Sequence, residues 1–204
     1  MEISTPQVVI PLAAGCEEME VVICADILRR AGAEVSLAGI DGDAAVTASR
    51  GVVLLPDCSW EARRQAPMDL LLLPGGAGGV ERLRQCSSLL ALLRERMRNA
   101  APVAAICAAP SLLAGQGLLA GKRVTGYPGT LDAASAEYRY CSDPVVVDGS
   151  LTTSRGPGTA IDFALQLVAQ LFTAERRAEV EKALQRPAVY LSSFPVDNGP
   201  VQSN

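Results

Sequence analysis

Short apolar blocks alternate along this chain with longer stretches in which apolar residues return every three or four positions. Residues 7–13 (QVVIPLA) form one such block and read as a strand buried on both faces. After a GCEE loop, Met19, Val22, Ile23 and Ile27 recur at helical spacing, which predicts a helix over 17–31 ended by Gly32. Residues 34–39 return to a strand, so 7–39 is a β-α-β unit. Residues 44–55 surround Ser49-Arg50-Gly51 and predict a hairpin or excursion at the sheet edge. Leu70 to Leu73 is a strand stopped by Pro74-Gly75-Gly76. A helix is expected over 83–97 from apolar residues at 86, 89, 90, 93 and 97. Residues 102–106 form a small-residue strand, followed by a helix through Leu112 and Leu113 that ends near Gly115. Further strands are expected at 123–126 and at 145–153, the latter a hairpin around Asp148-Gly149. Ile161, Ala164, Leu165, Val168, Leu171 and Phe172 make a long helical stripe, and 174–184 make a last helix.

Strands alternating with helices imply an α/β fold with a doubly wound, mostly parallel sheet. One domain over 1–191 is expected, with a flexible tail at 192–204 where Pro, Ser, Asn and Gly accumulate. Sites in such sheets form beyond the carboxyl ends of strands. Three loops therefore come forward: GCEEME after the first strand, PGGAGG after the Leu70 strand, and Cys107-Ala-Ala-Pro after the 102–106 strand.

Composition narrows the chemistry. Hydrophobic residues are 49% of the chain and aromatics only 4%, so aliphatic side chains must fill the core. The net charge of −4 and the lack of a basic block argue against a nucleic-acid footprint. No apolar run approaches the ~18 residues that span a bilayer, and no Lys/Arg-led leader opens the chain. A soluble cytoplasmic protein is expected. The six cysteines form no CxxC pair and are expected to be free thiols, with no metal site. Histidine is absent, which removes any Cys-His couple, imidazole base or His metal ligand. Only Lys122 and Lys182 stand against sixteen arginines, which makes a Schiff-base lysine unexpected. Proton chemistry near neutrality must then use carboxylates, thiols, tyrosines or water.

Cys107 follows a strand and is expected to open a helix, with Pro110 in its first turn and Ala104, Ala105, Ala108 and Ala109 as small flanks. A thiol there would be tilted toward thiolate by the helix dipole. The alternative is a structural cysteine buried between two elements. Gly75 and Gly76 would let backbone N–H groups approach a ligand, or simply make a turn. Glu17, Glu18 and Glu20 crowd one helix start, where the dipole alone favours acids. Glu20 could instead point across the sheet end and meet the thiol. The segment TTSRGPGT (152–159) suits a helix start, and Arg155 could alternatively help form an anion pocket or a subunit contact.

Five segments carry a more specific resemblance: GCEEMEVV (15–22), ADILRRAGAEV (25–35), LLLPGG (71–76), AAICAAP (104–110) and TSRGPGTAIDFAL (153–165). Together they resemble the ThiJ/PfpI superfamily, in the branch holding the parkinsonism-associated deglycase and its bacterial oxidative-stress relatives. The resemblance covers roughly residues 6–185. It implies a flavodoxin-like three-layer α/β/α sandwich, a homodimer and no cofactor. It places the nucleophile on Cys107 and its paired, usually protonated acid on Glu20. Backbone oxyanion donors fall on Gly75, Gly76 and Ala108, and Arg50 and Arg155 fall near a dimer-adjacent pocket. Asp26 falls inside the first helix's apolar stripe. Many members carry a His before a Pro near the cysteine; here that place reads Gly126-Tyr127-Pro128. The implied activity is cysteine-dependent deglycase or glutathione-independent glyoxalase chemistry on small reactive carbonyls or glycated amines and thiols. A redox-sensing stress chaperone using Cys107 oxidation is the alternative, and peptidase activity ranks last because no His is present.

Overall fold

The computed structural model describes residues 5–186; the tail expected at 192–204 lies outside them. The first β-α-β unit is β1 (Gln7–Leu12), α1 (Glu18–Ala31) and β2 (Glu34–Gly39). The remaining strands of the main sheet are β5 (Cys58–Ser59), β6 (Leu70–Leu73), β7 (Val103–Ile106), β10 (Val145–Asp148) and β11 (Leu151–Ser154). Their order is β10-β11-β7-β6-β1-β2-β5, and only the β10–β11 pair is antiparallel. The chain builds outward from β1 through β2 to β5. It then returns to β6 on the other flank of β1 and builds through β7 to β11. The winding reverses between β1 and β6, and a crevice opens beyond their carboxyl ends.

The continuous apolar character of β1 has a direct cause: both faces of the sheet are covered. Val8, Ile10 and Leu12 pack into one apolar layer and Val9 into the other, as the two-residue period of a strand requires. The first layer includes residues of α1, α6 (Ala160–Leu171) and α7 (Ala174–Ala183). The second includes residues of α2 (Trp60–Arg63), α3 (Ala77–Gln85), α4 (Ser87–Arg98) and α5 (Pro110–Gly115). The doubly wound, mostly parallel sheet expected from the alternation of strands and helices, and the three-layer sandwich implied by the resemblance, are thus the observed architecture.

Four local expectations change. First, α1 turns a different stripe inward: Val21, Cys24, Ile27 and Leu28 are buried, while Met19 and Val22 stay 52% and 50% exposed. Asp26 lies on the outer face and pairs with Arg30 at 2.6 Å, one turn on. Both stripes have helical spacing, so only the packing against α6 selects between them. Second, the helix expected over 83–97 is two helices. Cys86 adopts an extended conformation (ψ 96°) between α3 and α4. Helix α3 starts earlier because Gly79 can press against Cys16, where a Cβ would lie 2.7 Å from the Cys16 backbone. Third, the 44–55 hairpin does not extend the main sheet. Its strands, β3 (Val46–Thr47) and β4 (Val53–Leu54), pair only with each other. Buried Glu18 ties this hairpin to α1, accepting from Ser49 Oγ and the Arg50 N–H at 2.8 Å each. Fourth, the strand expected at 123–126 is shortened to β8 (Arg123–Val124), which pairs with β9 (Arg139–Tyr140) outside the main sheet. Among the described residues, no helix is long and apolar enough to cross a membrane.

Candidate active site

Three loops converge at the point where the winding reverses. Strand β7 is buried along its length and delivers Cys107 into the left-handed region at φ 64°. A non-glycine residue there costs about 1–2 kcal/mol, so the neighbours must hold it. They do: the Cys107 N–H donates to the Ser154 carbonyl at 3.0 Å, and its own carbonyl accepts from the Tyr127 N–H at 2.8 Å. Helix α5 begins only at Pro110, so Cys107 stands on a sharp elbow ahead of the helix rather than opening it. The sulfur is nearly enclosed, with the residue 8% exposed.

The loop after β6 closes one side of the elbow. A Cβ on Gly75 would lie 2.5 Å from Cys107 Cβ, 2.8 Å from Glu20 Oε2 and 3.0 Å from Cys107 Sγ. Only glycine leaves room for thiol and carboxyl together. Gly76 is held at φ 85°, and a Cβ there would lie 2.4 Å from the Gly15 carbonyl oxygen, so the loops after β1 and β6 touch backbone to backbone. The Glu17 N–H donates to the Gly75 carbonyl at 3.0 Å and locks this contact. Glu17 also accepts from the Glu20 N–H at 2.8 Å, which starts α1 at the register that sends Glu20 inward.

Glu20 is fully buried. Its Oε2 accepts the Gly75 N–H at 2.7 Å, while Oε1 has no hydrogen-bond partner. Gly75 was expected to offer its N–H to an oxyanion; the structure commits that N–H to Glu20, and the Gly76 and Ala108 N–H groups are the backbone groups that favour charge on the sulfur. Burial pushes the Glu20 carboxyl up to about 7, against the lowering effect of the Gly75 N–H and the Cys107 contact. The thiol is pushed up to about 12, first by burial and then by the Glu20 charge, with the Gly76 and Ala108 N–H groups opposing. The thiolate bias expected from a helix dipole is therefore overturned for the resting pair. An enclosed sulfur beside a carboxylate is penalised for charge, and the six-residue α5 starts too far along the chain to offset this. Thiol and carboxyl behave as one unit that avoids a second negative charge.

Farther out, Tyr127 is 50% exposed. It lines an open cleft of about 310 Å³ together with Arg155, Gly156 and Pro144. Arg155 donates from Nη1 to the Ser142 carbonyl at 3.0 Å. Arg50 lies on the β3–β4 turn, where its backbone meets Glu18 and its side chain is exposed, outside this cleft. Two contributors escaped the sequence reading. Ser154 holds the elbow through its carbonyl, a backbone role that leaves no side-chain signature. Glu18 orders the hairpin; it stood in the acidic run but read as a dipole partner only. All six cysteines are free thiols, as expected.

Comparison with known proteins agrees with the fold. Residues 6–170 match the DJ-1/PfpI family. The chain is 45% identical over 174 residues to Protein dj-1beta of Drosophila melanogaster, covering 85% of this chain and 93% of that one. It is 43% identical over 176 residues to the Parkinson disease protein 7 homolog of Danio rerio, with 85% and 93% covered. It is 32% identical over 168 residues to the glutathione-independent glyoxalase DJR-1.2 of Caenorhabditis elegans, with 82% and 89% covered. The crystal structure of Drosophila melanogaster DJ-1beta superposes with a TM-score of 0.86 at 43% identity, covering 90% of this chain and all (100%) of that one. Oxidized Toxoplasma gondii DJ-1 superposes with a TM-score of 0.84 at 36% identity, over 88% and 98% of the two chains. The chain belongs to the DJ-1/PfpI family.

Proposed function

We propose that this protein is a cysteine-dependent enzyme of carbonyl stress, a glyoxalase or deglycase acting on α-oxoaldehydes or their early adducts with amines and thiols. The observation that carries this reading is the buried Glu20 carboxyl, pushed up to about 7, facing an elbow thiol in the crevice where the winding reverses. With its proton, Glu20 is a donor beside the sulfur and no longer opposes the thiolate. The Cys107 sulfur then bonds to the aldehyde carbon, and the carbonyl π pair moves to oxygen, which takes a proton. This hemithioacetal oxygen finds the Gly76 and Ala108 N–H groups. Loss of the proton on that carbon and its return to the neighbouring ketone carbon gives a thioester, with Glu20 carrying the proton. Water cleaves the thioester, releasing a hydroxy acid such as lactate and restoring the thiol. The name of the Caenorhabditis elegans relative supports this class of reaction. Purified protein is expected to convert methylglyoxal to lactate, and Cys107→Ser to fall to background. Equal lactate production by both would sink the proposal.

A second reading is favoured by the same donors. The Gly76 and Ala108 N–H groups, which favour negative charge on the sulfur, and a protonated Glu20 would stabilise sulfinate oxygens, making the protein a redox-sensing stress chaperone whose partners read the oxidised Cys107. Peroxide-driven sulfinate at Cys107 without carbonyl turnover is the result that would select it.

A homodimer is part of this proposal. Met19 and Val22 on α1 and Val52, Val53 and Leu55 on the hairpin are large apolar side chains left exposed. They lie on two elements joined by Glu18, and exposed apolar side chains on such neighbouring elements are suited to a two-fold contact. Arg50 sits on the same hairpin and would approach the partner's surface. Light scattering is expected to give twice the 21.3 kDa of one chain at micromolar concentration, and a monomer would overturn the assembly. The free cysteines fit a reducing compartment, and a cytoplasmic location belongs to the proposal.

A further inference from the structure

Gly156 has no conformational reason to be glycine. Its φ of 162° is extended backbone that any residue adopts. Its N–H donates to Thr159 Oγ1 at 3.1 Å and its carbonyl accepts the Thr159 N–H at 2.9 Å, and neither bond needs glycine. A Cβ built there would lie 3.4 Å from Tyr127 Cδ2 and 4.0 Å from Cys107 Sγ, with no closer atom. The missing side chain therefore leaves a gap that touches the nucleophile on one side and the tyrosine ring on the other. Cys107 is not among the residues that line the open cleft, whereas Gly156 and Tyr127 are, so the space over Gly156 lies between the sulfur and the cleft.

The cleft beyond the gap has a definite chemistry. The Tyr127 ring stands beside three prolines, Pro128, Pro144 and Pro157, which supply rigid apolar walls with no N–H to satisfy. Arg155 is the cation among these walls, and its plane is steadied by the bond to Ser142. A half-exposed ring flanked by prolines favours a flat apolar group that can stack, and a methyl group would leave most of that surface wet.

We propose that the cleft is the subsite for the carbonyl substituent, reached across Gly156, and that it selects aryl α-oxoaldehydes over methylglyoxal. This rests on Cys107 being the nucleophile and goes beyond it by assigning the substrate class. Tyr127 and Gly156 are then specificity-determining residues, one by its ring and the other by its empty space.

The experiment reads the subsite without requiring turnover. Phenacyl bromide and bromoacetone each alkylate a thiol: sulfur bonds to the methylene carbon and bromide leaves. The rate ratio of the two reagents at Cys107, followed by peptide mass spectrometry, is divided by the same ratio on N-acetylcysteine. Wild type is expected to favour the aryl reagent roughly tenfold beyond the free thiol. Tyr127→Phe is expected to keep that preference, because the ring remains. Tyr127→Ala is expected to bring it close to the free thiol. Gly156→Ala, which the contacts above accommodate, is expected to slow phenacyl bromide more than bromoacetone. A wild-type ratio equal to that of the free thiol, a preference untouched by Tyr127→Ala, or equal slowing of both reagents by Gly156→Ala would each overturn the subsite. Failure of both reagents to modify Cys107 would overturn the subsite and the nucleophile together. Aryl selectivity with no turnover of phenylglyoxal would sink only the enzyme reading.

Discussion

Glu20→Gln is expected to gain about 3 kcal/mol of stability relative to wild type as pH rises from 4 to 8. In the unfolded chain Glu20 ionises near its ordinary value of 4.5, whereas in the folded protein it holds its proton to about 7. Between those values the unfolded state releases a proton that the folded state keeps. Wild-type stability therefore falls across this window and levels off above it. Glutamine has no proton to release, so its curve lacks this fall. Any constant cost of placing an amide beside the unpartnered Oε1 position cancels in the difference between the two pH values. Urea unfolding of both proteins at pH 4, 6 and 8 measures it, and parallel curves would show that Glu20 ionises as freely inside the fold as outside. The same variant separates charge from chemistry. Removing the carboxylate charge lowers the thiol, because that charge is the second largest cause of its rise. Alkylation of Cys107 above pH 7 should then quicken while carbonyl turnover drops, since glutamine cannot carry the proton.

Tyr127→His is expected to raise glyoxalase-type turnover by roughly tenfold to a hundredfold, at or below the lower end of the ~10²–10⁴-fold range for a well-placed acid–base group. The ring belongs to the same open cleft as Gly156, and its Cδ2 lies 3.4 Å from the gap beside the sulfur. An imidazole built on the same backbone would reach that gap. A phenol donates a hydrogen bond but is a poor general base, whereas an imidazole can both take and give a proton. The variant's pH profile should gain a limb near the ordinary imidazole value of ~6.5, absent from wild type. The gain stays small because, among the described residues, no side-chain hydrogen bond orients the ring at this position. Unchanged turnover in Tyr127→His, or lost turnover in Tyr127→Phe, would move proton transfer to another group.

Much of the active centre could be read along the chain because it is local. The run from Val103 to Pro110 contains strand, elbow, small flanks and the first residue of α5. Gly75-Gly76 after four leucines marks the end of a buried strand wherever it packs. Glu20 is different: its carboxyl meets Gly75, 55 positions away. The residues offered a meeting of Glu20 with the Cys107 thiol only as one of two readings, and the family resemblance favoured it; the bond to Gly75 was not anticipated, since an acid in a helix's first turn has a sufficient local explanation. The bias of the Cys107 thiol was misjudged for the same reason, whereas the protonated Glu20 implied by the resemblance agrees with its raised carboxyl. A helix dipole is visible in sequence, but burial of the sulfur and its distance from a carboxyl are properties of three loops meeting.

Local periodicity by itself determined the number and type of most elements and hence the α/β class, because alternation of strand and helix follows from side-chain spacing alone. Tertiary structure alone decided which stripe of α1 faces inward, that the 44–55 hairpin leaves the sheet, that α3 and α4 separate at Cys86, and that Gly156 lies between thiol and cleft. Each of these depends on which surfaces meet across the fold, and a one-dimensional pattern records a residue's preference for burial without recording its partner.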